Sequence, residues 1–474
     1  MIETGKIVFL PDLVYTGERF ERGLALVCDE RGRITRIARA GEIEGCRVVH
    51  LKGRALLPGL VNAHSHAFQR VIRGRTEQRA GKSGDTFWTW REMMYSAAKR
   101  LSPEDIYDAS RMAFLEMALV GITAVGEFHY VHRAPDGEPY DDPNLMAKEV
   151  VRAARDVGLR IALLRVAYAR SGYRVEPNAR QSRFIEAEAE NYLQNVEKLK
   201  ADLVRAEDAQ AAWVGVAPHS VRAVPLGYLR EVADYANQHE LPVHMHVAEQ
   251  PAEVAACIEE HGRTPVALLA HEGLLNRRFT GVHGIHITPE EIQLLARASA
   301  CICACPTTER NLGDGIVPAD ALLEAGVRLS LGTDSHTQID LLEDARELEY
   351  HLRLQRLERN VLAAQALDSS APAPWALASR LFTCATLYGA QSIGAPVGTL
   401  EPDNPADFFT IDLKDPSIAG ASTDDLLACL VFSLARTAVR EVFIGGRVVV
   451  EEGRHRAQSE IVERFNALQS RLWG

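Results

Sequence analysis

The sequence predicts an α/β chain: a closed (β/α)8 barrel with a small β-sandwich domain built from both chain ends. Three observations predict it. The middle of the chain alternates β-rich runs with helical patterns eight times over. Both ends are β-rich and broken by tight turns. The chain has 474 residues, 47% of them hydrophobic, and single cores stop growing at about 250–300 residues, so a satellite domain is expected. No G-x-G-x-x-G follows a strand, which weighs against an open doubly wound sheet.

Residues 1–54 supply the first part of the β domain, as "KIVFLPDLVY", "GLALVCDERGRITRIA" and "CRVVHLKGR". Residues 397–474 supply the second, as "ADFFTIDL" and "VREVFIGGRVVVEEGRH", with Gly445 and Gly446 as a hairpin turn. The barrel spans 55–396. Its strands are "ALLPGLVNAHSH", "ITAVGEFHY", "RIALLRVAY", "WVGVAPHS", "PVHMHVAE", "GVHGIHI", "ACICACP" and "RLSLGTDS". Ser102 with Pro103 opens one helix, and Thr288 with Pro289 and Glu291 opens another. Gly121, Gly158 and Gly326 stand where helices should stop.

The chain is 25% charged with a net charge of −11, a poor balance for binding nucleic acid or an anionic membrane. An anionic substrate therefore needs locally placed cations. Eight scattered cysteines, three of them in "CICACP", suit a reducing compartment rather than a disulfide framework. The triplet reads as small hydrophobes packed in strand 7. The N-terminus lacks a signal-peptide pattern, and no apolar run can span a bilayer. A soluble cytoplasmic protein is expected.

Barrel chemistry collects at the C-terminal strand ends, and here those ends carry His64, His66, Glu127, His129, His219, His244, His246, His283, His286, Asp334 and His336. Residues i and i+2 of a strand face one way, so "HSH" offers two imidazoles to one point. A lone strand-end histidine is usually structural; histidines at five strand ends with a strand-8 aspartate indicate a metal site. In "HMH" either histidine could be the ligand, and His246 is preferred because Glu249 follows in the same loop. Strand 4 carries no lysine to bridge two metals. One divalent ion is expected, held by His64, His66, His246 and Asp334. The donor set suits Zn2+, with Fe2+ as the alternative. "HEGLL" lacks the second histidine of a zincin, and no P-C-x-x-C is present, which excludes the cytidine-type zinc deaminase fold.

"LPGLVNAHSH", "HVAE", "TDSH" and "GTLEPDNPADFFTID" resemble the amidohydrolase superfamily in its mononuclear deaminase branch. "HSHAFQR", "DTFWTWREMMY", "EFHYVH", "HVAEQPAEV" and "TERNLGDGI" resemble the formimidoylglutamate deiminase family more specifically. The resemblance runs from about residue 55 to the C-terminus, and "FWTWRE" is its most discriminating part. It implies the same four metal ligands. It makes Glu249 and His283 the acid/base and polarising residues; Asp334, beside the metal, can accept the water proton. It implies Gln69, Arg91, Tyr130, His219 and Arg222 as the substrate-binding set. The implied reaction takes N-formimino-L-glutamate and water to N-formyl-L-glutamate and ammonia in histidine degradation, and the implied assembly is a homodimer.

The cations fit such a dicarboxylate. Guanidinium forks match carboxylates in bidentate geometry, and Arg91 follows an aromatic loop, "FWTW", expected over the barrel mouth. The competing reading of Arg91 is a surface pair with Glu92. Arg73 and Arg75 read as solvated loop charges. A sister deaminase acting on a guanine-like ring or another amidine would want stacking walls and few cations. A non-catalytic scaffold would lack a ligand, and an iron oxygenase would use three rather than four.

Overall fold

The computed structural model describes residues 6–42, 46–79, 84–176, 178–205, 211–363 and 376–474. Eight parallel strands stand in sequence order: β1 Leu60–Ser65, β2 Ile122–His129, β3 Arg160–Ala167, β4 Ala212–Pro218, β5 Val243–Val247, β6 Phe279–His283, β7 Cys301–Ala304 and β8 Arg328–Leu331. A parallel bridge from Ser65 to Asp334 joins the last strand's exit to the first strand's end. The strands are buried almost throughout, as expected of a parallel sheet covered on both faces.

Helices pack around the strands for local reasons that the sequence states. Leu145–Val157 buries Met146, Val150, Val151, Ala154 and Val157 on one face and stops at Gly158, which is left-handed at φ 95°. Ser102 caps Pro103–Leu119: its hydroxyl accepts from the Asp105 backbone N–H at 3.3 Å, and the Asp105 carboxylate accepts from the Ser102 N–H at 2.8 Å. Thr288 and Glu291 form the second box. No helix of the described residues is long and apolar enough to cross a membrane.

The chain ends meet in one nine-stranded mixed sheet. Its own core includes Phe9, Leu26, Ile34, Leu56, Phe408 and Phe443. The hairpin Val439–Ile444 to Arg447–Glu451 turns on Gly445 and Gly446, both at positive φ, as a two-residue primed turn requires.

Three details depart from the sequence reading. "ALLPGLVNAHSH" is two strands. Arg47–Pro58 belongs to the end sheet, pairing with Ile7–Tyr15 and Phe408–Asp412, and only Leu60–Ser65 is in the barrel. Gly59 makes the switch, where a Cβ would sit 2.2 Å from Thr123 Oγ1. The β-rich C-terminal stretch also contains helices Leu426–Ser433 and Gln458–Trp473. "FWTW" is the first turn of helix Phe87–Arg100 rather than a loop, started by a capping box between Thr86 and Thr89.

Candidate active site

Four side chains converge at the C-terminal end of the barrel. His64 Nε2 lies 3.1 Å from His66 Nε2, and Asp334 Oδ1 lies 3.5 Å and 3.2 Å from those two nitrogens. One ligand atom each from His64, His66, His246 and Asp334 falls within 4.8 Å of all the others, and all four residues are buried. The backbone holds this arrangement. Asp334 N donates to His64 O and His66 N donates to Asp334 O, both at 3.1 Å. Gly332 permits the approach, since a Cβ there would sit 2.7 Å from the His64 Cβ.

The donor chemistry fits a cation. Backbone carbonyls only accept, so His66 Nδ1 donates to Phe128 O at 2.8 Å and His246 Nδ1 donates to His219 O at 3.1 Å. Each Nε2 is left with a lone pair, and that of His66 points at a carboxylate. A proton is a poor remedy near neutrality. Burial, against the pull of Asp334, pushes His64 down to about 3. Burial and the neighbouring imidazoles hold His246 well below its ordinary value. A divalent ion removes the repulsion, and three nitrogens with one carboxylate oxygen form a set that such ions take. His244, the other half of "HMH", faces away and bonds Ser392 O at 2.9 Å. His129 packs against His132 instead.

Beside the cluster, His283 Nε2 lies 3.7 Å from Glu249 Oε1 and 3.8 Å from Asp334 Oδ2. Burial raises the Glu249 carboxyl to about 7, countered in part by His283 and reinforced by Asp334. Burial alone would lower His283, but Glu249, Glu309 and Asp334 hold it well above its ordinary value. Ala248, His283, Asp334 and His336 all have left-handed backbone. Non-glycine residues cost about 1–3 kcal/mol each there and cluster at working sites.

A pocket of about 720 Å³, counted to its open mouth, adjoins these groups. Gln69, Arg91, Tyr130, His219 and Arg222 all line it, together with His66, His246, Glu249, His283 and Asp334. Gln69 Nε2 donates to Tyr130 Oη at 2.8 Å. Arg91 stacks over Trp88 at 4.3 Å, and its Nε and Nη1 are buried without a partner. Glu92 pairs with Arg180, which removes the surface-pair reading of Arg91. Arg222 Nη1 donates to Ser171 O at 2.8 Å.

Sequence reasoning missed two carboxylates. Glu309, on helix Pro306–Leu312 after β7, accepts from His283 Nδ1 at 3.2 Å and from Cys305 N at 2.8 Å. Glu127 was noted only as a strand-end residue. It accepts from Ser65 Oγ at 2.5 Å and from Ala67 N at 2.7 Å, so it clamps the turn that carries His66. Arg73 is not solvated. It donates to His336 O at 2.5 Å and to Glu116 at 2.7 Å, because the segment after His66 folds down over the barrel rim. The three cysteines of "CICACP" are buried in and just after β7, as expected.

Residues 55–449 match the amidohydrolase family. A formimidoylglutamate deiminase from Pseudomonas aeruginosa is 39% identical over 87% of this chain and 88% of its own length. A 5-methylthioadenosine/S-adenosylhomocysteine deaminase from Haloquadratum walsbyi is 28% identical over 85% and 81%. Among solved structures, an amidohydrolase from Brucella melitensis superposes with a TM-score of 0.88 at 32% identity, covering 99% of this chain and all of that one. An adenosine deaminase from Xanthomonas campestris with bound zinc shares the fold, with a TM-score of 0.82 at 22% identity over 99% and 98%. By the span of the family match and the extent of the 39% identity, this chain belongs to the amidohydrolase family and, within it, to the formimidoylglutamate deiminases.

Proposed function

We propose that this chain hydrolyses N-formimino-L-glutamate to N-formyl-L-glutamate and ammonia, a step of histidine degradation. One observation carries the reading: a single pocket joins a four-donor metal cluster to two guanidiniums, Arg91 and Arg222. The Pseudomonas relative bears the name of this activity over most of both chains.

His64, His66, His246 and Asp334 hold the ion, Zn2+ in preference to Fe2+ given three imidazoles and one carboxylate. When bound, it supplies a water that ionises near pH ~7. The remaining work falls to side chains. Asp334 Oδ2, turned toward His283, would accept a proton from a water held at the cluster. Glu249, with its carboxyl at about 7, can hold a proton or release it at working pH. It hydrogen-bonds the formimino nitrogen and delivers to it the water's two protons in turn, one by way of Asp334 and one from the new hydroxyl, so nitrogen leaves as ammonia as the C–N bond breaks. Such positioned proton transfer contributes roughly 10²–10⁴-fold. His283, carrying positive charge, steadies the oxygen that develops at the attacked carbon, and Glu309 fixes its ring.

Arg91 and Arg222 hold the two carboxylates, with Gln69, Tyr130 and His219 shaping the space between them and the cluster. A purine ring would not use two guanidiniums that have no carboxylate partner among the described residues. We take 1–58 and 397–474 as the two parts of the small β domain around a 59–396 barrel, because the strand Arg47–Pro58 carries the first boundary past the expected 54. We also take the enzyme to be a cytoplasmic homodimer: eight unbridged cysteines suit a reducing compartment, and the dimer follows the family. Ammonia release from N-formimino-L-glutamate, compared with formimino-aspartate, guanine and adenosine, tests the proposal. Turnover of a purine and none of the first compound would overturn the substrate assignment.

A further inference from the structure

Two tyrosines line the same pocket without a part in the reading above. Tyr95 comes from helix Phe87–Arg100 and Tyr168 from the end of β3; each is 2% exposed. One amide serves both hydroxyls. Gln181 Nε2 donates to Tyr95 Oη at 2.8 Å and to Tyr168 Oη at 2.6 Å. Gln181 is itself buried, and its backbone N–H bonds Asn178 O at 2.8 Å.

The hydrogen count matters. A primary amide nitrogen has two protons, and both go to tyrosine oxygens. Each phenol therefore keeps its own proton to give. Both can reach the cavity that both rings line, and at least one does so even where one phenol donates to the other. Burial raises Tyr95 far above its ordinary value, so it stays a donor. The charges around the pair are positive. The Arg91 guanidinium lies 5.4 Å from the Tyr95 ring centroid, with Nε and Nη1 buried and unpartnered. Arg222 is close enough to act on both phenols. Neither arginine forms an ion pair among the described residues. A carboxylate offers about four lone-pair sites and one guanidinium fork fills two, which leaves two for neutral donors.

We propose that Tyr95 and Tyr168, locked by Gln181, complete with Arg91 a clasp for one substrate carboxylate. The tyrosines are binding residues and Gln181 is a positioning residue. The inference rests on the dicarboxylate reading above and names further groups that enforce it.

The test uses the metal-loaded full chain and two probes: glutarate binding by calorimetry, and steady-state ammonia release from N-formimino-L-glutamate. A hydrogen bond to a charged group is worth about 10–100-fold in binding. Tyr95→Phe/Tyr168→Phe is expected to raise the glutarate Kd and the KM at least 10-fold, with kcat within about 3-fold. Gln181→Leu is expected to shift both constants the same way, which keeps the test open if the double variant melts early. An unchanged Kd in the double variant overturns the clasp, as does a kcat loss with Kd and KM intact, or a wild-type chain that binds no glutarate. If the wild type binds glutarate in a tyrosine-dependent way yet releases no ammonia from N-formimino-L-glutamate, the clasp stands and the substrate assignment falls.

Discussion

Glu309 never touches the pocket, yet its removal should slow the reaction. Its Oε1 stands 3.2 Å from His283 Nδ1, and the residue is 1% exposed. Unit charges at that distance interact by about 5 kcal/mol at an effective dielectric constant of ~20. The net contribution of a charged hydrogen bond is smaller, about 1.5–3 kcal/mol, because the carboxylate was desolvated when the chain folded. Glu309→Gln keeps an oxygen for Nδ1 and for the Cys305 N–H and loses only the charge. The expected result is a kcat lower by about 10–150-fold, with KM within 3-fold. Glu309→Leu also strands two buried donors at about 1–3 kcal/mol each, so it should lose stability as well as rate. Ammonia-release kinetics and urea unfolding of the two variants separate the effects. A Glu309→Gln enzyme with wild-type kcat would refute the claim that this carboxylate supports His283 during turnover.

Arg91→Met should raise KM for the dianionic substrate about 10–100-fold while formamidine, which has no carboxylate, reacts as before; equal losses on both would remove Arg91 from carboxylate binding. Purified chain should carry one equivalent of divalent metal by elemental analysis, and chelation should lower the melting temperature by several degrees, reversibly on adding zinc. Acid should destabilise the fold through Glu186. Burial would raise its carboxyl, but Arg165, at 2.5 Å, wins and lowers it from 4.5 to about 2. Because the folded value lies below the unfolded one, the stabilisation is complete above about pH 4.5 and is lost as pH falls toward 2. It amounts to about 3 kcal/mol. Urea unfolding at pH 7, 5 and 3 should show this slope, and Glu186→Gln should flatten it.

The convergence of His64, His66, His246 and Asp334 was legible in the sequence because its signal is local. Alternation in "HSH" places His64 and His66 together, and the loop after "HMH" singles out His246. Caps at Ser102 and Thr288 were legible for the same reason. The supports were not. Glu309 meets His283 only because β6 and β7 are neighbours and a helix starts directly after β7. No spacing within "PTTERN" carries that. Glu127 could have been found by asking which strand-2 residue lies beside Ser65, a question of register rather than pattern. Gly59 hid the change of sheet, since an apolar run of uniform character crosses it. "FWTW" looked like a loop because aromatic residues are middling helix formers; the Thr86 cap decided otherwise.

The strand that leads into His64 is rooted in another sheet, where Leu56 and Leu57 pair with Thr410 and Phe409. During synthesis Ile7–Tyr15 is available to one edge of this root from the start, but its other edge waits for Phe408–Asp412, and Asp334 emerges well after the two histidines. The first two imidazoles therefore spend most of translation beside a half-paired strand and without their aspartate. The cluster is completed only late in synthesis, and a chain that ends before Phe408–Asp412 should hold His64 and His66 less firmly.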